Sequence, residues 1–219
     1  MNYFSRISLE RHAVTPETLG QLACGEPYRD HQRLWKLFDA EHRQFLFRYQ
    51  SVDGLPRYFV VSSRPPRDDA RFWQVETKDY RPQLVSGQTL GFNLLANPVV
   101  THKDEQGRRH RHDVVMNRKH TFDPGQRPVM NDLVRDAGLL WLDAQARRRG
   151  FRFDPDQVLV HGYRQHRLHR TGRQPIQFST LEFEGSLTVT EPAAFTDALT
   201  NGIGPAKAFG CGLLLVRKH

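Results

Sequence analysis

Tyr28, His31 and Trp35 stand at spacings i, i+3 and i+7, which a helix aligns along one stripe. A histidine titrates near neutrality and can take or give a proton in general acid–base catalysis. RNA is a substrate that asks for little more. It carries its own nucleophile, the 2′-hydroxyl, so cleavage needs proton transfer and stabilisation of charge on the phosphate. Tyr28, one turn before His31, would then position the hydroxyl or the phosphate through its O–H. The plainer alternative is that both residues flank a Leu34/Phe38 core stripe, where helix-edge histidines usually serve packing.

Cations form the second grouping. Residues 161–173 hold four arginines (Arg164, Arg167, Arg170, Arg173), three histidines and no acid. Guanidinium groups grip phosphates as planar forks and stack on bases. A basic hairpin against an RNA helix and a solvated loop are both compatible with that composition. Residues 101–120 are similarly rich, with Lys103, Arg108, Arg109 and Arg111, although Asp104, Glu105 and Asp113 dilute the charge. His110-Arg111-His112 and His166 to His169 have short spacings, but no acid or thiol completes a familiar four-ligand set, so no metal site is expected.

The third grouping is a glycine loop, residues 202–214, with Gly202, Gly204, Gly210 and Gly212 around Lys207. Such amides can converge on an anion. A helix precedes the loop and an apolar strand follows it, the reverse of a P-loop or dinucleotide fingerprint. Those nucleotide sites are disfavoured, and a plain turn before a core strand stays open.

The elements that must carry these groups can be read in order. Tyr3 to Leu9 alternates like a strand. A loop follows from Thr15-Pro16 to Gly25, and Pro27 opens a helix to about Phe38. Gln44–Gln50 and Arg57–Ser62 read as strands joined by Asp53-Gly54, a strong hairpin signal. Arg64 to Pro82 gives no clear pattern, and Thr89–Ala96 reads as the next strand. Later come a helix from Val129 to Arg149 closed by Gly150, strands at 158–163 and 176–183, a turn at Gly185 into 186–190, a helix at 193–199 and a strand at 212–216. Strand, helix, hairpin and strand, met twice, predict an α+β protein of two tandem ferredoxin-like (RRM-like) domains, residues 1–100 and 101–219.

Composition sets the outer bounds. A formal charge of +8 among 219 residues and a pI near 9.9 favour a polyanionic partner. No apolar run of about 18 residues is present to span a bilayer, and the N-terminus lacks a signal peptide's apolar core. Cys24 and Cys211 are too few for a disulfide framework, which points to a reducing, cytoplasmic setting. A Gly-x-Ser-x-Gly elbow and an RRM's Lys/Arg-Gly-aromatic strand are both absent.

Four stretches together resemble a known family. They are Tyr28-Arg29-Asp30-His31-Gln32-Arg33-Leu34-Trp35-Lys36-Leu37-Phe38, Leu95-Ala96-Asn97-Pro98, Phe183-Glu184-Gly185-Ser186-Leu187-Thr188-Val189, and the loop Gly202 to Leu214. Their order and wording resemble the CasE family, CRISPR-associated endoribonucleases of type I-E Cascade within the RAMP superfamily. The resemblance implies two ferredoxin-like folds and metal-independent cleavage of pre-crRNA with no cofactor. It also implies retention of the 3′ stem-loop alongside other Cascade subunits. By position it implies that His31 is the catalytic histidine and Tyr28 its partner. Arg33 and Lys36 on the same helix are candidates to offset phosphorane charge, with Arg29 pointing least favourably. Lys103, Arg108, Arg109, Arg111, the four hairpin arginines, Gly204, Lys207, Gly210 and Gly212 are candidate RNA contacts. One departure is Leu94-Leu95, where the family usually has arginine before Ala-Asn-Pro, which puts in doubt a phosphate contact from that strand. A hairpin-binding subunit that does not cut, and a scaffold that touches only protein, are the competing classes.

Overall fold

A computed structural model describes residues 1–16, 27–38, 44–67, 72–170 and 173–218. The expected loop from Thr15 to Gly25 lies mostly outside them, as does Cys24. The first sheet joins β1 (Tyr3–Leu9), β2 (Phe45–Val52), β3 (Leu55–Ser62) and β4 (Trp73–Asp79), with α1 (Pro27–Trp35) between β1 and β2. All its pairings are antiparallel, and its spatial order is β2-β3-β1-β4. That is the ferredoxin strand order. Asp53 and Gly54 both take positive φ, 52° and 77°, which a two-residue type I′ hairpin requires. After α1 the chain continues as a tighter turn, with Leu37 and Phe38 amides donating to Leu34 and Trp35 carbonyls.

The second sheet contains β5 (Thr89–Ala96), β8 (Phe151–Arg152), β9 (Val158–Arg170), β10 (Arg173–Val189) and β11 (Leu214–Lys218). β11 pairs with β5, β5 with β10, and β10 with β9, again antiparallel and again in ferredoxin order. Helices α3 (Met130–Arg149) and α4 (Pro192–Asn201) supply the two crossovers. Between β5 and α3 the chain inserts a ribbon of β6 (Val99–Lys103) and β7 (Arg109–Asp113), then a short α2 (Val114–Lys119). Asp113 caps α2, accepting from the Val115 and Met116 amides at 2.8 and 2.9 Å and satisfying donors a helix start leaves open.

Two expectations change. Thr89–Ala96 does not complete the first unit. β4 occupies that sheet edge, while Leu90, Phe92, Leu94 and Ala96 are buried in the second core. The change of sheet thus falls between Asp79 and Thr89, where a boundary near residue 100 was expected. Gly185 is not a turn either, because β10 runs unbroken through it. Its missing Cβ is needed for a close crossing, since a Cβ there would stand 2.1 Å from the Gln157 carbonyl oxygen.

β2 shows how the halves join. Its residues Phe45 to Arg48 are buried on both faces. Phe45 and Phe47 pack with Leu34 and Phe38 on the α1 side. Leu46 meets Val61 and Leu213 on the other side, under the second half. There the buried Arg48 pairs with Glu182 of β10, which also accepts from Asn93 Nδ2 at 3.1 Å. Burial pulls the Arg48 guanidinium below its ordinary range, and Glu182 opposes that pull.

Candidate active site and nucleic-acid interface

α1 holds His31 in a half-buried position against aromatic rings. The imidazole lies 5.3 Å from the Trp35 ring, 5.7 Å from Phe45 and 6.4 Å from Phe47. The helix's rotation is fixed from below. Asp30 is 1% exposed, accepts from the Tyr58 hydroxyl at 2.6 Å and pairs with Arg33 Nη1 at 3.3 Å. A buried carboxylate is tolerated only with such partners. With Asp30 and Leu34 inward, His31 is turned to the helix edge, half in and half out. Tyr28 belongs to α1, but its side chain lies outside the described residues.

Arg33 therefore faces the internal Asp30 pair, while Lys36 and Arg29 are exposed at the surface. Asp30 and Tyr58 were missed from sequence. Neither has a marked spacing, and their contact joins residues far apart in the chain. Replacing Tyr58 with Phe removes a donor from a buried acceptor, which typically costs about 1–3 kcal/mol. We expect a lower unfolding midpoint and, in the RNA cleavage that the family resemblance implies, a severalfold slower single-turnover rate with unchanged RNA affinity. A rate equal to wild type would show that this contact does not set the attitude of α1.

The glycine loop packs against this same helix through a short 3-10 turn, Lys207–Phe209, which also touches β2. Gly210 lies at φ +80°, and a Cβ there would stand 3.2 Å from the Phe47 ring. Gly212 is at φ +91°, where a Cβ would come within 2.8 Å of the Ile203 carbonyl oxygen. Both positions demand glycine for conformation and space together. The Gly212 amide donates to the Leu95 carbonyl at 2.7 Å, and its own carbonyl accepts from Ile203 at 2.9 Å. Gly210 and Gly212 are buried, and the Gly212 amide is committed to the protein, which corrects its expected role as an anion contact. Lys207 donates to the Asn201 carbonyl at the end of α4. Gly204 is half-buried beside Trp141. The loop braces the two halves and delivers Lys207 beside α1. Next to it, burial pushes the Cys211 thiol up to about 12, leaving it protonated and inert.

Within the described residues the basic stretches lie on antiparallel ribbons, β6–β7 and β9–β10. Lys103 pairs with Arg109 and Thr101 with Arg111 across β6–β7, and Lys103, Arg108, Arg109 and Arg111 are all exposed. Asp104 closes the ribbon's turn by accepting from the Arg108 amide and guanidinium and contacting His110. Those contacts, His110 first, hold its carboxyl below the usual range. Arg108 is thus partly engaged by its own turn. Arg164 and Arg167 stand exposed on β9; the side chains of Arg170 and Arg173 lie outside the described residues. Tyr163 donates to Asp113 at 2.9 Å, tying the β9–β10 hairpin to the ribbon. Burial, reinforced by Asp113, raises the Tyr163 phenol well above its ordinary value. Among the described residues, no three His, Cys, Asp or Glu side chains converge on a common point, and no helix is long and apolar enough to cross a membrane.

Two ferredoxin-like sheets in tandem, with a histidine helix on the first and cationic ribbons on the second, define the class of this α+β protein. Comparison with known proteins narrows it. Residues 2–218 match the family described as CRISPR associated protein. The chain is 31% identical over 202 residues to the CRISPR system Cascade subunit CasE of Escherichia coli K12, spanning 85% of this chain and 89% of that one. It is 27% identical over 209 residues to the CRISPR-associated endoribonuclease Cse3 of Thermus thermophilus, spanning 87% and 89%. The crystal structure of Cas6e from Escherichia coli aligns at a TM-score of 0.64 and 25% identity, covering 99% of this chain and 100% of that one. Thermus thermophilus Cse3 bound to an RNA representing a pre-cleavage complex aligns at 0.70 and 24%, covering 99% and 98%. The chain belongs to this family of CRISPR-associated proteins, together with the Cascade subunit CasE.

Proposed function

We propose that this protein is an endoribonuclease that cuts pre-crRNA at the base of the repeat stem-loop without a metal ion. It then stays on the 3′ hairpin as a Cascade subunit in the cytoplasm. The observation that carries the reading is His31, held at the edge of α1 between the rings of Trp35 and Phe45 with part of its surface open. The relatives named endoribonuclease Cse3 and Cascade subunit CasE support both halves of it.

The 2′-oxygen forms a bond to phosphorus as the bond to the 5′-oxygen breaks, leaving a 2′,3′-cyclic phosphate and a 5′-hydroxyl. One proton leaves the 2′-hydroxyl and another reaches the departing 5′-oxygen. His31 is the group that moves one of them, and Tyr28 orients the reacting groups. Lys36, exposed just past α1, and Lys207, on the turn packed against it, are cations able to offset the gathering phosphorane charge. The first unit, through β4, carries His31; the second, from β5, carries Lys207 and also Lys103, Arg109, Arg111, Arg164 and Arg167, which grip phosphates of the RNA. Single-turnover cleavage of a repeat stem-loop RNA in excess EDTA tests this reading. A 5′-hydroxyl fragment is the expected product. RNA that is bound tightly and left whole would make the chain a non-catalytic hairpin binder.

A further inference from the structure

A groove of about 630 Å³ opens between the β6–β7 ribbon, the β9–β10 hairpin and the glycine loop. Its wall includes a ring stack that the catalytic reading does not use. His166 lies 4.6 Å from Phe178 at 13°, and Phe178 lies 4.8 Å from Phe209 at 16°. The three rings come from β9, β10 and the 3-10 turn, and each is only half-buried. Aromatic rings left half-open beside cations make a platform for bases. Arg111 and Arg167 line the same groove, as do the amide side chains of Gln165 and Gln177. At its floor, Ser179 is 3% exposed and its Oγ has no hydrogen-bond partner among the described residues. Burial, then Arg164, lowers the His166 pKa, so its ring meets a base as a neutral aromatic face.

The groove also has a defined place along the RNA. Phe209 closes the stack, and its own turn, Lys207–Phe209, packs on the helix that carries His31. Chain held in the groove is therefore close to the bond being cut. A base inside a duplex is stacked on its neighbours and cannot present a face to protein rings. An unpaired one can.

We propose that this groove holds one unpaired nucleotide next to the scissile phosphate, its base on the His166 end of the His166–Phe178–Phe209 stack and its phosphate between Arg111 and Arg167. The assignment rests on the endoribonuclease reading and names a subsite within it. The test uses the full chain and a synthetic repeat stem-loop RNA made uncleavable by a 2′-deoxy substitution at the cut. A series of such RNAs carries one abasic position each, scanned through the nucleotides flanking the stem. At one position, loss of the base is expected to weaken wild-type binding by roughly tenfold, the size of one stacking contact. His166→Ala, which removes an open end of the stack, should weaken binding of the intact RNA by the same factor and show no further loss with that abasic RNA. Phe178→Leu, which removes the ring behind His166 and keeps apolar volume, should show the same coupling at that position with a smaller loss. Equal losses across the whole series, or none, would overturn the subsite and leave the nuclease reading standing. A wild-type protein with no preference for any stem-loop would overturn both.

Discussion

His31→Ala is expected to slow single-turnover cleavage by a factor on the order of 10² to 10⁴, the usual reach of one general acid or base. Affinity for the stem-loop should hardly move, because phosphate contacts elsewhere dominate binding. Alanine also empties space between Trp35 and Phe45, so a slower rate alone would not separate proton transfer from packing. His31→Phe does. It keeps a ring among the same neighbours and cannot carry a proton, so it should unfold near the wild-type midpoint and cleave as slowly as the alanine variant. Cleavage by His31→Phe near the wild-type rate would reduce His31 to a packing residue and remove it from the chemistry.

The largest expected change in stability is at Glu182→Ala. Arg48 is 5% exposed between the sheets, and two of its guanidinium nitrogens have no hydrogen-bond partner among the described residues. Glu182 is the acceptor that compensates it. Removing one member of a buried pair leaves an uncompensated charge, which costs about 3–5 kcal/mol. Asn93 loses an acceptor at the same time. Urea unfolding should show the midpoint falling accordingly, whereas Glu182→Gln should recover part of the loss by keeping an oxygen in place. A change below about 1 kcal/mol would mean water reaches the guanidinium and the pair is an ordinary surface one.

What could be read from the sequence follows from distance along the chain. The Tyr28–His31–Trp35 stripe and the Asp53-Gly54 hairpin are local patterns, and helix and turn geometry turn them directly into structure. β4 escaped because its sequence, Trp73-Gln74-Val75-Glu76-Thr77-Lys78-Asp79, buries little past its first residue. An edge strand can be that polar, since one side of its ladder is already satisfied by β1. The membership of β5 escaped for another reason. Its apolar pattern says strand, yet only the competition between β4 and β5 for the same edge says which sheet. Asp30–Tyr58, Arg48–Glu182 and the ring stack all join residues on different elements, and no spacing rule announces such meetings. The glycine loop lay between these cases. Its glycines were evident as points of backbone freedom, but the partner of each amide was not, and Gly212 proved to be bound to Leu95.

That bond, and the pairing of Leu94 with Leu214, impose an order on the protein's birth. A ribosome makes β5 early and its neighbour β11 long afterwards, with the bracing loop emerging just before β11. Until then the helix bearing His31 has no turn packed against it, and β5 presents an open edge to its surroundings. Such late pairing of distant segments is slow and leaves a strand exposed meanwhile. The face of the helix that meets the loop and the edge of β5 thus stay uncovered until the loop and β11 have both emerged.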